Sequence, residues 1–286
     1  MNILITGANG QLGNEIHNLE KDSKNNYFFT SRENLDITDK GRIQKYISDN
    51  RIEIIINCAA YTAVEKAEEE FKRADLVNHI AVKNLAEVSK ENSVFLIHIS
   101  TDYVFGGVGN LPYKEDDIAN PLGIYGKTKF AGEQAIKDIG CKALIIRTAW
   151  LYSSFGNNFV KTMIRLISEK ESIKVVYDQI GSPTYAGDLA KIIIDIVETR
   201  KYIDNEGIYH FTNEGVISWY DFAVEIANQV NNIKCRILPC RSDEFPTKVK
   251  RPAYSVLDKA KIKETFNIDI PYWKESLTKC IKKIGF

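Results

Sequence analysis

Short apolar, β-branched runs alternate with stretches whose apolar residues recur every three to four positions along the first half of this chain. The run Asn2 to Thr6 is followed by a helical pattern through Ile16 and Leu19. Tyr27 to Thr30 is the next strand-like run, and a helical stretch through Ile43 and Ile47 follows it. Ile52 to Asn57 is nearly all isoleucine, as expected of a strand covered on both faces of a parallel sheet. Val64 to Asn92 reads as mostly helical, charged early and apolar-periodic later at Ile80, Leu85 and Val88. Val94 to Ile99 is then a strand, Tyr125 to Ile139 an amphipathic helix, and Ala143 to Arg147 another strand. Strands and helices alternating in this way predict an α/β fold, a Rossmann-type doubly wound parallel sheet.

From about Leu151 the pattern loosens. Helices are expected at Phe159 to Ile167, Leu189 to Val197, Trp219 to Val230, Lys259 to Phe266 and Tyr272 to Ile284. Ile173 to Val176 and Ile208 to Thr212 read as strands, and Gly181-Ser182-Pro183-Thr184 as a turn. Ser218 and Asp258 are expected helix caps, because a short polar side chain can accept from a free first-turn N–H. No internal repeat or low-complexity linker divides the chain. Residues 1–150 are therefore expected to form the sheet domain. Residues 151–286 would form a smaller C-terminal lobe, interleaved with that sheet.

Composition narrows the function. The 286 residues carry 38 lysines plus arginines against 38 acids, with no block of either sign. Neither a nucleic-acid groove nor a polybasic membrane patch is expected. No apolar run approaches the ~18 residues of a membrane span, and the N-terminus enters a strand without a charged leader. Five cysteines without a Cys-x-x-Cys pair fit a reduced, cytoplasmic protein. The four histidines pair with no cysteine or carboxylate at ligand spacing, so no metal site is expected.

Candidate chemistry sits at the strand ends, where ligands of such sheets bind. After the first strand comes Gly7-Ala8-Asn9-Gly10-Gln11-Leu12-Gly13, whose glycines allow backbone N–H groups to approach a pyrophosphate at a helix N-terminus. The spacing is Gly-x-x-Gly-x-x-Gly, and its place between strand and helix points to a dinucleotide. The second strand ends at Ser31-Arg32 without the acid that usually holds an adenosine ribose, and Arg32 is suited to a 2′-phosphate. Cys58-Ala59-Ala60-Tyr61-Thr62 offers small residues against which a cofactor can lie. Ser100, Thr101 and Asp102 end the fourth strand.

Tyr125-Gly126-Lys127-Thr128-Lys129 opens the following helix, and residues four apart share a helix face. An ammonium beside a phenol lowers the phenol's pKa. Moving a tyrosine from ~10 to about 7 needs roughly 4 kcal/mol of differential stabilisation, which one desolvated cation together with a bound cofactor's charge could supply.

In this order the glycine turn, Ser100-Thr101-Asp102 and Tyr125-x-x-x-Lys129 resemble the extended short-chain dehydrogenase/reductase superfamily. Asn57 to Val64, His98 to Phe105, Arg147 to Tyr152, Gly156 to Phe159, Asp178 to Thr184 and Arg251-Pro252 resemble the dTDP-4-dehydrorhamnose reductase family. That resemblance implies reduction of the 4-keto group of dTDP-4-dehydro-β-L-rhamnose by NADH or NADPH. It also implies cofactor contacts at Gly10, Gln11, Leu12, Asp36, Ile37, Ala59, Ala60 and Tyr61, beside those expected of Gly7 and Arg32. Thr101, Asp102 and Trp150 would contact the dTDP-sugar. Tyr125, Lys129 and Thr101 would be catalytic, with Tyr125 and Lys129 also touching the cofactor. Trp150 also reads as a core aromatic, Arg251 as a diphosphate or salt-bridge partner, and Asn157 and Asn158 as nucleotide contacts or turn residues.

Some members are described as metal-bridged dimers. Only Glu15 matches their carboxylates, and the tail Lys282 to Phe286 offers no acid, so a homodimer is allowed but a magnesium bridge is not expected. Two other readings stay open on the same scaffold. One is another nucleotide-sugar 4-ketoreductase, an epimerase or a 4,6-dehydratase. The other is an idle NADP-binding regulatory subunit resembling the β subunit of methionine adenosyltransferase.

Overall fold

The computed structural model describes residues 1–20, 23–230, 234–245, 247, 249 and 251–286. In chain order its first half runs β1 (Asn2–Thr6), α1 (Gln11–Leu19), β2 (Asn26–Thr30), α2 (Lys40–Asn50), β3 (Ile54–Asn57), α3 (Val64–Ala67), α4 (Phe71–Asp75), α5 (Ala81–Asn92), β4 (Phe95–Thr101), α6 (Ile124–Ile139) and β5 (Ala143–Thr148). The second half adds β6 (Leu151–Tyr152), α7 (Phe159–Glu169), β7 (Ser172–Val176), β8 (Ile180–Gly181), β9 (Thr184–Tyr185), α8 (Ala186–Glu198), β10 (Gly207–His210), β11 (Ile217–Ser218), α9 (Trp219–Gln229), β12 (Arg236–Cys240), α10 (Ala260–Phe266) and α11 (Trp273–Ile284).

The Rossmann-type sheet is present, six parallel strands in the order β10-β5-β4-β3-β1-β2. The order reverses between β1 and β3, and that switch point opens a crevice at the carboxyl ends of the strands. Side chains alternate across each strand, so adjacent residues enter different layers. Ile3, Ile5, Ile56, Ile97 and Ile146 join Leu189, Ile193 and Val197 of α8 on one face. Leu4, Ile55, Leu96 and Ile145 join Ile43, Val82, Leu85 and Ile136 on the other. A third cluster, built from Tyr152, Val160, Phe222, Ile226, Trp273 and Leu277, forms the core of the C-terminal half. The expected strand at Ile208 is β10, the sheet's sixth member.

Two expected elements differ: the turn expected at Gly181 to Thr184 has Gly181 in β8 and Thr184 in β9, and the long helical stretch is broken. Val64 to Asn92 is interrupted, with α3 and α4 leading into a π-helical turn at Leu76–Ile80 before α5. A π turn takes in an extra residue and re-aims its side chains. Here it turns Asn78 fully inward. Asn78 Oδ1 accepts from the Tyr61 N–H at 2.8 Å, and Asn78 Nδ2 donates to the Tyr61 carbonyl at 3.1 Å. The segment after β3 is thereby fixed by a side chain in place of a neighbouring strand.

The caps fall close to where they are expected. Ser218 and Asp221 form a reciprocal capping box at α9, with Ser218 Oγ accepting from the Asp221 N–H at 3.1 Å. Helix α10 begins one residue later than expected, and Asp258 accepts from the Ala260 N–H at 2.8 Å.

Candidate active site

A continuous cleft follows the carboxyl ends of β1 to β5. Its outer part, about 440 Å³, lies between the Gly7 turn, Arg32, Asp36, Ala59 and Tyr61. Its inner part, about 550 Å³, reaches Thr101, Asp102, Tyr125, Lys129 and Trp150. The two parts share Gly10, Cys58 and Ala60.

The floor of the outer part is backbone. Gly7 has φ +66°, and a Cβ there would stand 2.6 Å from the Ala59 nitrogen. Only glycine lets β1 and β3 approach this closely. Helix α1 starts at Gln11 with extended Gly10 as its cap and no side-chain cap, which leaves its first N–H groups facing the cleft. Such a turn fits a dinucleotide pyrophosphate.

Arg32 is exposed at the rim and lies 3.8 Å from Asp36. Asp36 accepts from both the N–H and the hydroxyl of Thr38, at 3.0 and 2.8 Å, and these bonds hold its carboxyl below the usual range. Ile37 and Leu12 are buried behind the cleft. Tyr61 places its hydroxyl 3.1 Å from Glu70, with the Arg73 guanidinium 5.7 Å from the ring centroid. Gln11 ties the glycine turn to the second half, its Oε1 accepting from Asn158 Nδ2 at 3.0 Å.

In the inner part, Thr101 Oγ1 donates to Asp102 Oδ1 at 3.0 Å. Asp102 is buried, which raises its carboxyl to about 6 against the opposing effect of Thr101 and Ser255, and among the described residues its Oδ2 has no hydrogen-bond partner within ordinary distance. An unpartnered buried oxygen facing a cleft is a ready acceptor for a sugar hydroxyl. Trp150 has φ +49° and stacks on Trp219, with ring centroids 3.6 Å apart and an interplanar angle of 13°. It is thus both a packed aromatic and a wall of the cleft.

The Tyr125 and Lys129 pair requires a correction. Both sit on one face of α6 and both line the cleft, but the expected lowering of the phenol is absent. Burial pushes Tyr125 up to about 12, opposed by a hydrogen bond with Thr101 and reinforced by the charge of Asp102. Lys129 is turned elsewhere. Its Nζ donates to the Ile99 carbonyl at 2.6 Å and lies 3.3 Å from His98 Nε2. Burial lowers Lys129 to about 8, against the pull of Glu133.

The other candidates have these places. Arg251 pairs with Glu65 at 3.1 Å. Asn157 lines the cleft, whereas Asn158 caps α7 by accepting from the Lys161 N–H at 3.1 Å. Glu15 is fully buried, accepts from Ser153 Oγ at 2.7 Å and pairs with Lys283 at 3.1 Å. Among the described residues no group of three His, Cys, Asp or Glu side chains is placed to hold a metal ion.

Comparison with known proteins agrees with this geometry. The family model described as RmlD substrate binding domain matches residues 1–286. A dTDP-4-dehydrorhamnose reductase of Aggregatibacter actinomycetemcomitans is 41% identical, over 96% of each chain. The chain belongs to the dTDP-4-dehydrorhamnose reductase family. A solved dTDP-4-dehydrorhamnose reductase of Clostridium acetobutylicum superposes with a TM-score of 0.95 at 43% identity, covering 100% of both chains. That of Bacillus anthracis, solved in complex with NADP, gives 0.93 at 40% identity and covers 99% of each.

Membership does not by itself assign the groups behind the cleft: the motifs contain Asn57, His98 and Arg147 without giving them a role, and they leave out Glu133. Asn57 and His98 stand opposite each other on β3 and β4, beneath Lys129. Glu133 and Arg147 form a fully buried ion pair at 2.7 Å behind Ser100. The signal was available: each interrupts or follows an apolar run with a polar residue that can be buried only with a partner.

Proposed function

We propose that this chain reduces the 4-keto group of dTDP-4-dehydro-β-L-rhamnose to dTDP-L-rhamnose with NADH or NADPH. One observation carries the reading: a single cleft leads from a glycine turn built for a pyrophosphate to Thr101, Tyr125 and Lys129. The bound cofactor supplies a hydride to the carbonyl carbon. Tyr125 then protonates the developing alkoxide, since its phenol is fully protonated at neutral pH. Thr101, on turning its single hydroxyl proton away from Asp102, donates a hydrogen bond to the same oxygen, and Lys129 holds the nicotinamide ribose. Asp102 and Trp150 orient the sugar. Residues 151–286 serve as the lobe that takes the nucleotide sugar, in a reduced cytoplasmic setting suited to five free cysteines.

By the resemblance to the related 4,6-dehydratases, a dehydratase would carry a glutamate directly after the aspartate at Asp102. Tyr103 stands there, and burial pushes its phenol far above its ordinary value, so it cannot act as a base at neutral pH. Incubation with a 4-keto-6-deoxy dTDP-sugar is expected to consume one reduced nicotinamide per sugar, with no turnover of dTDP-glucose. A 4-keto-6-deoxy product from dTDP-glucose, seen by nuclear magnetic resonance without net cofactor oxidation, overturns the reading.

Arg32 is proposed to read the 2′-phosphate, a contact worth about 1.5–3 kcal/mol when charge-assisted. Arg32→Ala is therefore expected to weaken NADPH binding selectively. Equal losses for NADH and NADPH in a fluorescence titration would remove that role.

A further inference from the structure

Trp150 lies just past β5 with φ +49°, a left-handed backbone that a bulky side chain rarely adopts. Two neighbours from the second half fix its indole. Trp219 lies almost flat on it, with centroids 3.6 Å apart and 13° between the planes. Gly181 closes against it, since a Cβ there would stand 2.8 Å from Trp150 Cε2 and Cζ2. What remains of the indole surface lines the inner cleft with Asn157 and Thr101.

So small a centroid separation leaves almost no lateral offset, and aromatic pairs left to themselves prefer an offset or an edge contact. The overlap is therefore imposed by the backbone around it. β8 and β11 pair antiparallel, with Ile217 opposite Gly181 and Ser218 opposite Ile180. One short ladder thus delivers both Gly181 and Trp219 to the same indole. The capping box at Ser218 and Asp221 fixes where α9 begins, and Trp219 is its first residue. On the other side, the Trp150 carbonyl accepts from the Thr184 N–H at 3.2 Å. Phe159, two residues after Asn157, packs on Trp219 with centroids 4.5 Å apart.

We propose that Trp219 is a positioning residue for the nucleotide sugar, holding Trp150 as a cleft wall that is in place before the sugar arrives. The proposal rests on the proposed contact of Trp150 with the sugar. Trp219 itself lines neither part of the cleft and acts only through Trp150. A residue in a sparsely populated backbone region stays there only while its surroundings hold it. Without Trp219 the indole loses one of its holds and samples other positions, some of them inside the cleft. Sugar binding then weakens. The cofactor, whose contacts are expected along the Gly7 turn, Arg32 and Asp36, binds as before.

The chain has three tryptophans, so three indole N–H signals are expected in ¹⁵N nuclear magnetic resonance spectra, each assigned by a single Trp→Phe replacement. In wild-type protein without nucleotide, Trp150 is expected to give one sharp signal displaced by the ring current of Trp219. In Trp219→Leu that displacement should vanish and the signal broaden, with Trp273 unmoved. Titration with dTDP-L-rhamnose in the presence of NADP should show affinity lowered by about tenfold, the upper end for one aromatic pair, with NADP affinity unchanged. Trp219→Phe keeps a ring in place and should recover most of the sugar affinity. A Trp150 signal that stays sharp and unshifted in Trp219→Leu overturns the proposal, as do equal losses for sugar and cofactor, the mark of a merely structural role. A wild-type Trp150 signal that is broad or doubled before sugar is added overturns it too. If Trp219→Leu does not fold, the wild-type and Trp219→Phe spectra still decide. Wild-type protein that binds no dTDP-sugar would remove the functional reading, while the spectra still report whether Trp219 holds Trp150.

Discussion

Tyr125→Phe is expected to lower turnover of the keto sugar by roughly 10²- to 10⁴-fold, the usual contribution of a positioned acid, while cofactor binding is preserved. The substitution removes one oxygen and leaves the ring in its edge contact with Tyr103, at 5.4 Å between centroids. Lys129→Met should damage both turnover and cofactor binding, because Lys129 is proposed to touch the ribose as well. Single-turnover kinetics beside a binding titration separate the two effects. Near-normal turnover in Tyr125→Phe would dismiss the proton donor and restore the idle-subunit reading.

The second large effect concerns stability. Arg147→Met strands the Glu133 carboxylate, which is fully buried and receives Arg147 through Nε and Nη2 at 2.7–3.2 Å. Removing one partner of such a pair costs about 3–5 kcal/mol, because the remaining charge has no water to return to. Whole domains are stable by only about 5–15 kcal/mol, so this change takes a large share. Adding Glu133→Leu removes the stranded charge and should recover much of the loss. Urea denaturation of the three proteins checks it. A single variant within about 0.5 kcal/mol of wild type, the range of an ordinary surface change, would show that the pair does not hold this region.

The sheet was legible because its strands are isoleucine-rich and its helices periodic, and both patterns are local. The cleft was legible because the glycine turn and Tyr125-x-x-x-Lys129 are each short motifs. The chemistry behind the cleft was not. Asn57 meets His98, and Ser100 stands beside Arg147, only through the parallel register of β3 with β4 and of β4 with β5. No spacing within one segment encodes that register. The same limit applies to the phenol. Helical spacing brought Tyr125 and Lys129 to one face, but the Ile99 carbonyl, thirty residues earlier in sequence, decided where the ammonium points. The interrupted helix before α5 was hidden for a different reason. Asn78 has no periodic signature, and its purpose becomes visible only once Tyr61 lies beside it.

Helix α8 covers Ile3, Ile5, Ile56 and Ile146 with Leu189, Ile193 and Val197, although it follows β5 by nearly forty residues in the chain. During synthesis at roughly 5–20 residues per second, β1 to β5 leave the ribosome seconds before this part of their cover exists, with only α1 already on that face. The strand β10, which closes the edge beside β5, arrives later still. The nascent half therefore presents an aliphatic strip, Ile56, Ile97 and Ile146 among it, until α8 arrives. Slow codons placed just after Thr148 would lengthen that exposure, and recoding them for speed would shorten it.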